Sequence, residues 1–142
     1  PKQKYDVAIN QAPEAVATLD VTREVGPIEV ISRQWSWEFI YPSGVRSSEL
    51  HLPVNLRANF LLSSKDVIHS FYIPAFRLKQ DIIPGQPTLL NFTPTRPGRY
   101  PVVCAELCGP YHGGMRSTVV VESADDYDAW FQANRKLPVS EA

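Results

Sequence analysis

Thirteen prolines run from Pro1 to Pro138, and before residue 123 they leave no room for long helices. A proline removes a backbone donor and clashes with the preceding helical turn, so the stretches between are short strands and turns. The residues alternate accordingly. Trp35, Trp37, Phe39 and Tyr41 interleave with Gln34, Ser36 and Glu38 as one face of a strand, and Pro42-Ser43-Gly44 closes it. Ile28 and Val30 have the opposite parity, which a bulge near residues 31–34 would reconcile. Leu56, Ala58, Phe60 and Leu62 alternate up to the polar corner Ser63-Ser64-Lys65-Asp66, and Val67–Ile73 is extended until Pro74. Leu89–Phe92, Gly98–Cys104 and Arg116–Val121 read as further strands. Six to eight such strands predict an all-β sandwich or barrel.

The texture changes after Glu122. Ser123 can cap a helix with Asp126 three residues on, and Tyr127, Trp130 and Phe131 share one face at i, i+3, i+4. Arg135 and Lys136 fall near its last turn, ahead of Pro138. The expected organisation is a polar lead-in or insertion over residues 1–26, a β domain over 27–122, and a short helix with a tail over 123–142. At 142 residues, 44% of them hydrophobic, the chain makes one domain with a real core and is not disordered. A formal net charge of −1 with no basic block excludes nucleic acid as a partner. No apolar run approaches the ~18 residues that cross a bilayer, and no signal-peptide core is present, although an anchor can precede such a sequence in a longer parent.

The chemistry concentrates between two predicted strands, in Cys104-Ala105-Glu106-Leu107-Cys108-Gly109-Pro110-Tyr111-His112-Gly113-Gly114-Met115. Both cysteines and the only methionine of the chain lie there with a histidine. Soft sulfur with imidazole selects copper, and His69, just after the polar corner, is the candidate second imidazole. A mononuclear blue site uses one thiolate, whereas two thiolates spaced C-x-x-x-C can both bridge a metal pair, which favours a dinuclear copper centre. Taken singly, each element has a plainer reading. The cysteines can form a disulfide, lie buried as thiols or bind zinc, while His69 and Met115 can serve the core. Zinc has no use for Met115 and lacks a second close His or Cys pair. The copper reading rests on coincidence of all these residues.

The pattern C-x-E-x-C-x-x-x-H-x-x-M, with Val67-Ile68-His69-Ser70-Phe71 upstream, resembles the CuA domain of subunit II of bacterial-type cytochrome c oxidases. Gln34-Trp35-Ser36-Trp37, Leu78-Lys79-Gln80-Asp81-Ile82-Ile83-Pro84-Gly85 and Thr95-Arg96-Pro97-Gly98 leading to Tyr100 extend the resemblance from about Ile28 to Val121. It implies a cupredoxin-like Greek-key β-sandwich in which Cys104 and Cys108 bridge two copper ions. His69 and Met115 would complete one copper, and His112 with the backbone carbonyl of Glu106 the other. The Glu106 side chain would reach a Mg2+ or Mn2+ at the interface with the haem-bearing subunit I. Trp35 matches the entry point for electrons from cytochrome c, while Trp37 is expected in the core. Asp81 is either a turn or salt-bridge residue or part of the subunit I interface.

The implied function is electron transfer, from cytochrome c or a similar soluble donor to the subunit that reduces oxygen. The domain would be an electron-entry module without substrate chemistry of its own. The resemblance also implies an anchor of transmembrane helices ahead of Pro1, with the domain facing the periplasm, the thylakoid lumen or the intermembrane space. Three alternatives stay open: the CuA domain of nitrous oxide reductase, a mononuclear cupredoxin carrier, and a copper-free quinol-oxidase subunit II. Glu106 disfavours the first, the second cysteine disfavours the mononuclear carrier, and the filled ligand positions disfavour the last. His51 reads as a surface or half-buried histidine with no metal role. The chain is nearly neutral, and Lys65 sits next to Asp66 where an acidic patch for a basic donor would be expected, so a less basic or an acidic donor is also open, and Asp66 steers the donor only if docking is acid-driven.

Overall fold

The computed structural model describes Val7–Ala8 and residues 24–135. Of the expected lead-in over residues 1–26, Val7–Ala8 is a strand and residues 24–26 already belong to the strand Glu24–Arg33, while the rest lies outside the described residues, as does the tail from residue 136. The strands are β1 (Val7–Ala8), β2 (Glu24–Arg33), β3 (Ser36–Ile40), β4 (Arg46–Ser47), β5 (Leu50–Pro53) and β6 (Arg57–Ser64). They continue as β7 (His69–Ile73), β8 (Leu78–Ile82), β9 (Thr88–Pro94), β10 (Gly98–Cys104) and β11 (Arg116–Glu122), followed by helix α1 (Ala124–Asn134). One sheet has the order β1-β9-β6-β2-β3-β4 and the other β5-β11-β10-β7-β8. The chain crosses repeatedly between them, so β2 pairs with β6, and β5 with β11, in parallel. This is the expected cupredoxin-like β-sandwich.

The two sheets bury their apolar faces against each other. Phe71 from the second sheet meets Phe39 and Phe60 from the first, each at 6.4 Å between ring centres, and Trp37 at 5.5 Å. Ala58, Phe60 and Leu62 are buried at every second position of β6, as their alternation predicts. Phe71 touches three aromatic rings in a fully buried position. Phe71→Ala is therefore expected to destabilise the domain by about 3–5 kcal/mol in denaturant unfolding.

The parity change near residue 31 has a different cause from the expected bulge. β2 and β3 form an antiparallel hairpin with Arg33 opposite Ser36, so Gln34 and Trp35 form its turn and Trp35 is not part of the aromatic strand. The turn itself resets which residues face inward. The irregularity of β2 lies earlier, between Val25 and Ile28 against β6. There Gly26 has φ +111, and a Cβ would sit 2.3 Å from the Asn59 carbonyl oxygen, so only glycine fits.

The C-terminal helix follows its sequence signals. The Ser123 hydroxyl accepts from the Asp126 amide at 3.1 Å, and Tyr127, Trp130 and Phe131 pack against the core. His51 is buried, contrary to the surface or half-buried position expected of it. Its ring stacks on Trp130 at 4.0 Å and its Nδ1 lies 2.8 Å from Glu122 Oε1. Beneath it, the Tyr41 hydroxyl donates to the His51 carbonyl at 2.8 Å and accepts from its amide at 2.9 Å. Burial pushes the Tyr41 hydroxyl pKa upward. These contacts hold the helix against β5, with His51 as a structural latch.

Candidate metal centre

Three connections meet at one end of the sandwich: the β2–β3 turn, the β6–β7 corner and the β10–β11 loop. Cys104 is the last residue of β10, opposite Phe71 of β7, and Met115 directly precedes β11. The backbone between them is tied down, with Ala105 N–H donating to the Ser70 carbonyl at 3.1 Å. A short 3-10 turn, His112–Gly114, then folds the loop back on itself.

This loop brings the expected donor residues together. Ligand atoms of His69, Cys104 and Cys108 all lie within 4.8 Å of one another, and all three residues are buried. The cysteines are free, with their sulfurs 3.7 Å apart. An imidazole nitrogen faces each: His69 Nδ1 is 3.8 Å from Cys104 Sγ, and His112 Nδ1 is 3.4 Å from Cys108 Sγ. Met115 Sδ stands 3.9 Å from Cys108 Sγ, and the Glu106 carbonyl oxygen 3.2 Å from Cys104 Sγ. His112 is half-buried, whereas His69 and Met115 are fully enclosed. The Glu106 side chain is half-buried on the rim. Asp81 is exposed on β8 opposite Ser70, one strand from the loop and outside the donor cluster.

The surroundings orient these groups. Asp66 takes a hydrogen bond from the Gln34 amide at 2.8 Å, another from the Val67 amide at 2.6 Å, and lies 2.9 Å from His69 Nε2. Partial burial opposes its charge, yet the Gln34 and Val67 amides and His69 more than offset this and hold its pKa below the ordinary value. The carboxylate is thus engaged in holding His69 while keeping its charge. Sequence reasoning missed this role, and its signal was the Asp66/His69 spacing across a tight corner. Gln34, also missed, donates from Nε2 to the Cys108 carbonyl at 2.9 Å. Trp37 donates from Nε1 to the Met115 carbonyl at 3.4 Å from within the core. Trp35 is half-buried against the loop, edge-on to Tyr111 at 4.7 Å.

Gly109 is where the loop and the β2–β3 turn touch. Its φ is +125, and a Cβ would lie 3.0 Å from Gln34 Nε2 and 3.2 Å from the Trp35 ring. Gly109→Ala should cost about 1–3 kcal/mol in thermal unfolding and break the Gln34 to Cys108 contact. Burial, reinforced by the neighbouring Cys104 thiol, pushes the Cys108 thiol up to about 11. A metal must displace that proton. On account of this group alone, metal affinity should fall about tenfold for each pH unit across the whole range below about 11, neutral pH included, measurable by competition with a chelator of known pH behaviour.

The residues fit copper by their chemistry: two thiols, two imidazoles, a thioether and a carbonyl oxygen around one point. Comparison with known proteins agrees. Residues 44–124 match the family described as "Cytochrome C oxidase subunit II, periplasmic domain". The chain is 51% identical over 111 residues to cytochrome c oxidase subunit 2 of Thermostichus vulcanus, covering 78% of this chain and 34% of that protein. It is 46% identical over 112 residues to the same subunit of a Synechocystis species, again 78% of this chain and 34% of the relative. The chain thus spans about a third of the length of these relatives. Among solved structures, the periplasmic domain of subunit II of cytochrome oxidase from Bradyrhizobium japonicum superposes with a TM-score of 0.72 at 26% identity, covering 79% of this chain and 95% of that one. The chain belongs to the cytochrome c oxidase subunit II family and carries the CuA-type periplasmic domain of that subunit.

Proposed function

We propose that this domain holds two copper ions between Cys104 and Cys108 and carries electrons from a soluble donor such as cytochrome c to subunit I of a terminal oxidase. The supporting observation is the pair of free sulfurs 3.7 Å apart, each with an imidazole nitrogen against it. Cys104 and Cys108 would bridge, His69 and Met115 would complete one copper, and His112 with the Glu106 carbonyl the other. Bound copper would supply a one-electron couple held between Cys104 and Cys108.

The rest of the work falls to the chain. Asp66 holds the His69 ring in one orientation, and Gln34 and Trp37 fix the backbone at Cys108 and Met115, so the ligands need not rearrange when charge changes. Trp37 and Phe71 exclude water from the inner side of the centre. Half-buried His112 gives the outer side a route to the surface. Trp35 would receive the electron, the Glu106 carboxylate would reach Mg2+ or Mn2+ at the subunit I boundary, and Asp81 would lie on the same boundary. A membrane anchor in the longer parent, with the domain on the periplasmic side or its equivalent, completes this reading.

Rapid mixing of the copper-loaded chain with reduced cytochrome c tests it. Oxidation of the haem should match reduction of the copper centre electron for electron. A loaded centre that takes no electrons from any c-type donor contradicts the proposal.

A further inference from the structure

The surface over the centre is not made by Trp35. That ring is half-buried, seated on Gly109, and its Nε1 is enclosed without a hydrogen-bond partner. Tyr111 covers it edge-on, with ring centres 4.7 Å apart and planes at 77°. Tyr111 is itself 66% exposed, and Leu107 on the same loop is 79% exposed. Large apolar side chains held out to water around a redox loop mark a contact surface, and aromatic residues there offer broad area at low cost in rotamer entropy. Tyr111 is also covalently adjacent to His112, whose Nδ1 lies 3.4 Å from Cys108 Sγ. It therefore reaches the sulfur pair by two short routes, one through the backbone to His112 and one through Trp35 to the Cys108–Gly109 peptide.

We infer that Tyr111 is the outer member of the electron-entry pair: its ring, with Leu107 exposed on the same loop, makes the contact with the donor's exposed haem edge, and Trp35 lies behind it. The inference rests on the electron-transfer reading above and specifies how the donor is met. The partner it fits is a c-type cytochrome whose haem edge is framed by apolar side chains, because exposed Tyr111 and Leu107 give the contact an apolar centre, with Glu106 next to Leu107 as the acid on the same loop. In the step itself one electron would leave the ferrous haem, which is oxidised, and would take the copper pair from the state with one shared unpaired electron to the state with both coppers cuprous. No bond is made or broken, and Tyr111 keeps its hydroxyl proton.

The test compares two reductants on the copper-loaded chain, a reduced c-type cytochrome and hexaammineruthenium(II), a small ion that needs no protein docking. Tyr111→Ala is expected to lower the second-order rate with the cytochrome by on the order of tenfold, as loss of a central contact residue does, and to leave the ruthenium rate within about twofold. Tyr111→Phe, which keeps the ring against Trp35, should restore the cytochrome rate. An unchanged cytochrome rate in Tyr111→Ala overturns the inference, and so does an equal slowing with both reductants, which would mean that Tyr111 acts on the centre. A parent chain reduced by ruthenium but not by the cytochrome would instead overturn the donor reading, and this inference with it.

Discussion

Cys108→Ser is expected to abolish the two-copper centre, leaving at most one copper per chain and no spectrum of a shared electron. Cys108 sits at the middle of the donor set: the Cys104 sulfur, His112 Nδ1 and Met115 Sδ all lie within 3.9 Å of its Sγ. A serine hydroxyl is hard, gives up its proton far less readily than a thiol and does not bridge soft metal ions. The fold should survive, because the substitution nearly conserves volume at the end of the sandwich, away from the Phe39, Phe60 and Phe71 contacts. Circular dichroism of the metal-free variant checks this. A variant that still binds two coppers with an unchanged spectrum would remove the bridging role from Cys108.

Asp66→Asn should weaken copper binding about 10- to 100-fold, the range found when a partner that orients a metal-binding histidine is lost. If His69 binds through Nδ1, which faces Cys104, its Nε2 carries the hydrogen donated to Asp66. The same carboxylate accepts two backbone amides, from Gln34 and Val67. An amide side chain has one acceptor oxygen for these three donors, and its own NH2 group faces one of them. Chelator competition measures the loss. A docking role alone would leave copper affinity untouched and lower only the donor on-rate at low salt, so the two roles are separable.

Much of the sandwich was legible because its strands alternate cleanly. β6, β10 and β11 fall where the pattern of Ala58, Phe60 and Leu62, the run Gly98–Cys104 and the run Arg116–Val121 place them. The helix was legible from its Ser123 cap and aromatic face. Short strands such as β1 and β4, two residues each, carry too few positions for any periodicity to register. Trp35 shows a different limit. Its alternation with Trp37 and Phe39 is real, yet the chain reverses at Gln34 and Trp35, and a hairpin turn without Gly or Asn-Gly gives no local signal. At the site, the two cysteines, two histidines and the methionine stood out by type and spacing within one loop and one corner, and the folded chain brings them together, whereas the Glu106 carbonyl was expected from the resemblance alone. The groups that orient them did not stand out. Gln34 lies 74 positions from the Cys108 carbonyl it meets, and only the folded chain brings them together. His51 was similarly hidden, since its burial depends on Trp130 from the distant helix.

Whether Cys104 and Cys108 together hold a pair of coppers is read from the copper-to-protein ratio of the reconstituted chain, with an electron paramagnetic resonance spectrum from the same tube. Two coppers per chain are expected, with hyperfine splitting from one unpaired electron spread equally over two copper nuclei. A single copper with the spectrum of an isolated blue site, or no bound copper, would contradict a pair held by both cysteines.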